Sequence, residues 1–293
     1  RAVGVDRPLA ELERRLADPR RRPVLLVGPR GAGKTALVHE RVRRRMEAAD
    51  RTPRHGNTWL VAPQRLISGM SYVGQWEARL LAILAEAKRR AHVLYVDDLL
   101  GLFRAGVSAQ SDLTVAQVMR PALERGEVRL LGEATLEEFR VLQERDRRFA
   151  DLFEPVVLAE PDEASTLPVL LEVERRLEAS HRSRFDLEVL PAVLDLVRRY
   201  VRDVAFPGKA ARLLEAVAAR GRDRDVGRED ALLAFQAATG LSLEFADPRR
   251  PLDPAGVAAA LERRVVGQPE AVAAAGDVVA IAKARLADPR RPL

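Results

Sequence analysis

Residues 28–35 read Gly28-Pro29-Arg30-Gly31-Ala32-Gly33-Lys34-Thr35, and the apolar run Val24-Leu25-Leu26-Val27 stands immediately before them. A phosphate-binding loop needs a strand to aim it and a helix whose first N–H groups face the anion. Ala36-Leu37-Val38 and the charged continuation to Met46 supply that helix. Glycines let the backbone wrap a β-phosphate, Lys34 sets a point charge between β- and γ-phosphates, and the Thr35 hydroxyl suits Mg²⁺. A glycine-rich turn with no ligand is the alternative, and the fixed positions filled in order argue against it. Nucleotide contacts are therefore expected from Gly28, Pro29, Arg30, Gly31, Ala32, Gly33, Lys34, Thr35 and Ala36.

The choice of cation at position 34 supports this. Only Lys34, Lys88, Lys209 and Lys283 are lysines among the 49 basic residues, so the chain uses Arg almost everywhere else. A phosphate loop takes a compact ammonium on a flexible stem, and a guanidinium fork fits it poorly.

With 293 residues and 47% hydrophobic content, the chain can form a sizeable core and about two domains. It holds no cysteine, which excludes disulfides, thiolate metal sites and a Cys nucleophile and fits a reducing cytoplasm as the expected location. His39, His55, His92 and His181 lie far apart without ligand spacing, so they read as packing or surface residues. No run approaches a membrane span, and no membrane partner is expected. Position 1 is Arg, and a piece of a longer protein is expected. The net charge of +6 and a pI near 10.2 raise nucleic acid as a partner. The basic residues are scattered pairs such as Arg14-Arg15 and Arg175-Arg176, interleaved with acids on amphipathic stretches. Solvated helix faces account for them better.

The fold class expected is α/β, a mostly parallel sheet flanked by helices and followed by a small helical domain. Strand candidates are 24–27, 58–62, 92–96, 128–131 and 156–158. Residues 75–91 form an amphipathic helix with Trp76, Leu80, Ile83, Leu84 and Ala87 on one stripe. Helical periodicity takes over from about Pro161, with helices at 164–179, 187–201 and 209–219. The expected boundaries are 1–160 for the large subdomain, 161–247 for the helical subdomain and linker, and 248–293 for the start of another module. An echo supports the last: Leu16-Ala17-Asp18-Pro19-Arg20-Arg21 returns as Leu286-Ala287-Asp288-Pro289-Arg290-Arg291. The parent protein is thus expected to carry two nucleotide-binding modules.

Several segments, in order, resemble the first ATPase module of the Clp-type AAA+ unfoldases and disaggregases. Leu66–Glu77 is similar to the family's pore-loop region, with Tyr72 at its aromatic and Val73 beside it. Val93–Leu99 resembles the Walker B strand. Arg120–Glu127 and Leu131–Thr135 resemble the helix and sensor strand that follow, and Phe206–Ala210 the small-domain motif. Arg264-Val265-Val266-Gly267-Gln268 looks like the start of the second module. Nothing between Arg220 and Leu261 matches the family's long coiled-coil insertion, which argues against a disaggregase with that arm.

This resemblance implies an AAA+ P-loop NTPase fold with a lid domain, ATP and Mg²⁺ as cofactors, and ATP hydrolysis. Asp97, ending an apolar strand, would hold the metal with Thr35. Lys209 falls where a second sensor would meet the γ-phosphate, and a helix-start lysine is the equal alternative. The family places Glu where this chain has Asp98, and shortening a base by one methylene costs roughly 100-fold in rate. Its neighbour-reaching arginines precede a Phe-x-Pro-Val segment, and here Asp151-Leu152 stand at those places. Such arginines are worth about 10³ to 10⁵ in turnover, and Arg147 and Arg148, four residues earlier, are the nearest substitutes. The sensor strand reads Gly132-Glu133-Ala134-Thr135, leaving Thr135 alone to orient water and adding a carboxylate at Glu133.

Intact binding parts beside altered catalytic ones imply a module that binds ATP and hydrolyses it slowly. The resemblance further implies a homo-oligomeric ring, a hexamer, that threads polypeptide substrates past Tyr72 and Val73. A core tyrosine is the alternative for Tyr72. Docking of a peptidase or adaptor stays open. A nucleotide-gated oligomerisation scaffold is the second reading, and a DNA-associated AAA+ ATPase the third.

Overall fold

The computed structural model describes residues 2–48, 56–70, 73–107, 111–284 and 286. Two compact units emerge, Arg1–Glu172 with Asp203–Lys209, and Val173–Arg202 with Ala210–Leu293. Helix α14 (Pro269–Lys283) thus falls in the second unit.

The first unit is built on five parallel strands, β1 (Val24–Val27), β2 (Thr58–Leu60), β3 (Val93–Val96), β4 (Arg129–Ala134) and β5 (Glu154–Val157), in the order β2-β3-β4-β1-β5. Strands β1 and β3 are short apolar runs buried on both faces, as parallel strands under helices must be. All five point the same way, so their C-terminal ends share one edge. Strand β4 lies between β1 and β3, pairing Leu26 with Glu133 and Val96 with Gly132.

Alternation along the strands divides the core in two. Leu26, Tyr95 and Leu131 pack with Leu9, Leu12 and Leu16 of α1 (Asp6–Leu16) and Leu37 and Val38 of α2 (Lys34–Ala48). Leu25, Leu94 and Leu130 pack on the other side with Trp76, Leu80 and Leu84 of α4 (Val73–Arg89) and Met119 of α5 (Val115–Glu124). The stripe read from the sequence is therefore core, and Trp76 is a packing residue with 4% of its surface exposed. A short α3 (Pro63–Ile67), α6 (Leu136–Arg145) and the single turn α7 (Arg147–Ala150) also belong to this unit, with a 3₁₀ turn at Leu100–Phe103.

Helix α8 (Glu163–His181) continues into the second unit, followed by α9 (Val189–Tyr200), α10 (Gly208–Arg220), α11 (Arg228–Thr239), α12 (Leu243–Ala246) and α13 (Pro254–Glu262). Apolar residues of α9, α10 and α11 are buried, among them Val193, Leu214 and Phe235. Arg228 donates to both oxygens of buried Asp247 at 2.6 and 3.1 Å, which ties α11 to the end of α12.

Candidate functional site

The chain leaves β1 at Val27 and turns through the glycine loop into α2. Gly31 has φ +87° and Gly33 φ +92°, conformations that L side chains rarely adopt. A Cβ on Gly31 would also lie 2.6 Å from the Ala205 carbonyl oxygen. The Ala205 N–H donates to the Arg30 carbonyl at 2.7 Å and the Gly208 N–H to that of Gly31 at 3.0 Å, clamping the loop's outer side.

Lys34 opens α2 and donates to the carbonyls of Gly28 at 2.7 Å and Pro29 at 3.0 Å. Burial draws its ammonium below the usual lysine range, opposed by the nearby Glu133 charge. Thr35 donates to Glu133 Oε2 at 3.0 Å, and the Tyr95 hydroxyl to Glu133 Oε1 at 2.5 Å. Burial pushes the Glu133 carboxyl up against the pull of those two donors. The Tyr95 phenol is likewise raised, by burial and then by the Glu133 carboxylate.

Asp97 and Asp98 follow β3. Asp97 is exposed, and it lines a cavity of about 340 Å³ together with Arg30, Asp98, Arg104, Glu133 and Glu138. Asp98 is turned to its own chain: Oδ1 accepts from the Gly101 N–H at 2.8 Å, and Arg104 reaches Oδ1 at 3.1 Å and Oδ2 at 2.9 Å. Thr135 is the N-cap of α6, its hydroxyl accepting from the Glu138 N–H at 3.1 Å while Glu138 returns to the Thr135 N–H at 2.7 Å.

The remaining sequence candidates sit elsewhere. Arg147 and Arg148 are exposed on α7 and do not line the cavity; Phe149 beside them is fully buried, 5.1 Å from the Phe103 ring and 5.4 Å from that of Phe153. Lys209 stacks 4.2 Å over the Phe206 ring and pairs with Glu160 at 3.5 Å. Tyr72 lies outside the described residues, and Val73 is the first residue of α4.

Sequence reasoning noted Glu133 only as an extra carboxylate. Its signal is an acid just after the apolar pair Leu130-Leu131 and Gly132 in β4, and its partners Thr35 and Tyr95 are 98 and 38 residues away.

Residues 24–154 match the ATPase family associated with various cellular activities (AAA), and residues 162–239 match an AAA lid domain. The chaperone protein ClpB of Aquifex aeolicus is 32% identical over 228 residues, 77% of this chain and 22% of that protein. The chloroplastic chaperone protein ClpD of Arabidopsis thaliana is 33% identical over 162 residues, 54% of this chain and 17% of its own. The chain thus spans about a fifth of the length of these relatives. An S. cerevisiae Hsp104:casein complex in its extended conformation superposes with a TM-score of 0.72 at 26% identity, over 99% of this chain and 51% of that one. Phosphate loop, strand order, consecutive ATPase and lid matches and the ClpB relatives agree: the chain belongs to the Clp-type AAA+ ATPases.

Proposed function

We propose that this chain is the ATP-binding and slowly hydrolysing module of a Clp-type protein-remodelling ATPase that works as a ring on polypeptide. One observation carries the slow step: Asp98, at the family's catalytic position, is held by Arg104 and the Gly101 N–H. A base engaged by a cation and an N–H, on a side chain one methylene short, is poorly placed to take a proton from water.

The donors near the loop suit magnesium. Thr35 offers a hydroxyl and Asp97 a carboxylate, the hard oxygen ligands that Mg²⁺ prefers, and phosphate oxygens and waters ordinarily fill its other positions. When bound, Mg²⁺ neutralises charge on the β- and γ-phosphate oxygens. In this reading Lys34 exchanges its two carbonyl partners for phosphate oxygens, and the N–H groups opening α2 face the anion. Thr135 keeps its hydroxyl proton free to orient water, because capping uses only its acceptor side. Lys209 serves as the second sensor, and Arg147 and Arg148 serve a neighbouring copy's nucleotide from their exposed turn.

The Hsp104:casein complex supports polypeptide as the substrate class; in this reading Tyr72 and Val73 make the contact and a homo-hexameric ring is the assembly. We read residues 1–160 as the large subdomain, 161–247 as the helical subdomain with its linker, and 248–293 as leading into a second module. The Asp98 contacts also favour a second reading, a nucleotide-gated scaffold with negligible turnover.

Calorimetric titration with ATP and ADP, with a phosphate-release assay on the same sample, tests the proposal. Tight Mg²⁺-dependent binding with slow release is expected, and binding with no release favours the scaffold. Turnover comparable to active Clp-type rings and lost in Asp98→Asn overturns the slow-hydrolysis reading. Absence of adenine-nucleotide binding overturns the whole of it.

A further inference from the structure

Glu133 is a buried carboxylate, 7% exposed, at the end of the strand that separates the phosphate loop from Asp97. The partners the structure gives it are two hydroxyls, Thr35 on one oxygen and Tyr95 on the other. The Lys34 ammonium offsets part of the Glu133 charge from a distance, but the direct hydrogen bonds come from neutral hydroxyls, so keeping that charge buried is still costly. Glu133 shares its cavity with Asp97, and the pairing of Val96 with Gly132 sets the two acids level on adjacent strands. The cavity's four carboxylates, Asp97, Asp98, Glu133 and Glu138, outnumber its two guanidiniums, Arg30 and Arg104, which favours a triphosphate that arrives with a divalent cation over a bare one.

The Thr35 contact adds direction. A hydroxyl that donates its proton to a carboxylate on one side presents lone pairs on the other, as side chains behind a metal's ligands commonly arrange.

Resting on the nucleotide-binding reading above, we propose that Glu133 is a positioning residue for the metal–triphosphate complex: it turns the Thr35 oxygen toward the cation and strengthens the preference for a cation-bound over a bare triphosphate.

The test is the ratio of the ATP dissociation constant in EDTA to that in excess Mg²⁺, measured by calorimetry on the 293-residue chain. Glu133→Gln keeps the shape and removes the charge, Glu133→Ala removes charge and acceptor, and Tyr95→Phe removes one donor and keeps the charge. Melting curves accompany each, and the two Glu133 variants back each other should one fail to fold. We expect the wild-type ratio to fall roughly tenfold in both Glu133 variants, the scale of losing a residue behind a metal ligand, and to hold within about twofold in Tyr95→Phe. An unchanged ratio in a folded Glu133 variant overturns the proposal and leaves the nucleotide reading intact. An equal fall in Tyr95→Phe also overturns it, since loss of packing would then be sufficient. A wild-type chain that binds no ATP with Mg²⁺ overturns the nucleotide reading and this proposal with it.

Discussion

Asp98 and Arg104 form an ion pair in which one guanidinium nitrogen meets both carboxylate oxygens, at 2.9 and 3.1 Å. Together with the Gly101 N–H, which donates to Oδ1 at 2.8 Å, this pair holds Asp98 against the 3₁₀ turn that follows β3. A carboxylate held in this way is restrained by its own chain. Asp98→Glu lengthens the side chain by one methylene and is expected to raise phosphate release about tenfold, part of the roughly 100-fold that misplacement costs. ATP affinity should stay within about twofold, so the two assays together separate an effect on the water from one on binding.

Lys34 bridges the ends of its own loop through Gly28 and Pro29. Replacing it with Ala removes both the bridge and the charge meant for the phosphates. We expect ATP affinity to fall by about 100-fold, equivalent to about 2.7 kcal/mol of binding energy. Lys34→Arg should recover little of it, because a planar fork cannot enter a loop shaped for an ammonium. Calorimetry reads both variants.

Gly31→Ala places a side chain at φ +87° and within 2.6 Å of the Ala205 carbonyl oxygen. The backbone conformation alone costs about 1–3 kcal/mol, and the clash adds to it. Urea unfolding should record the loss. Gly276→Ala, where a Cβ meets nothing within 4 Å, is the control and should be neutral or slightly stabilising.

In the second unit, the hydrogen-bonded Arg228 guanidinium holds the Asp247 carboxyl down at about 2, against the opposing effect of burial. An unfolded aspartate titrates at about 3.9, so this contribution is complete above that pH and disappears as pH falls toward 2. Asp247→Asn lacks the titration. The stability gap between wild type and Asp247→Asn should therefore be widest at pH 5 and narrow steadily to pH 2, as followed by urea unfolding of the second unit.

On the single turn α7, Phe149→Ala should cost about 3–5 kcal/mol, because the ring is fully buried between two other aromatics. Arg147→Ala and Arg148→Ala, with exposed side chains, should leave stability within about 0.5 kcal/mol. If these arginines act on a neighbour, phosphate release should fall only under conditions where the protein assembles.

Much of this protein is written locally. The phosphate loop is a contiguous run whose conformation depends on its own glycines, and the α4 stripe repeats every helical turn, so both were legible at their positions. Strand β4 was partly legible. The apolar residues predicted 128–131, while pairing with β1 and β3 on both sides carries the strand through Gly132 and Glu133 to Ala134, against their weak preference for strand.

The chemistry around the loop needed tertiary structure. Sequence showed that Asp98 is short by a methylene and that Glu133 is unusual, because residue identity is local information. That Arg104 occupies Asp98 depends on the 3₁₀ turn between them, and that Thr35 and Tyr95 converge on Glu133 follows from strand order: setting β4 between β1 and β3 brings together residues 98 positions apart. Sequence determined which groups this chain owns, and the sheet decided which of them share a charge, since electrostatic and hydrogen-bonding contacts depend on distance in space and not along the chain.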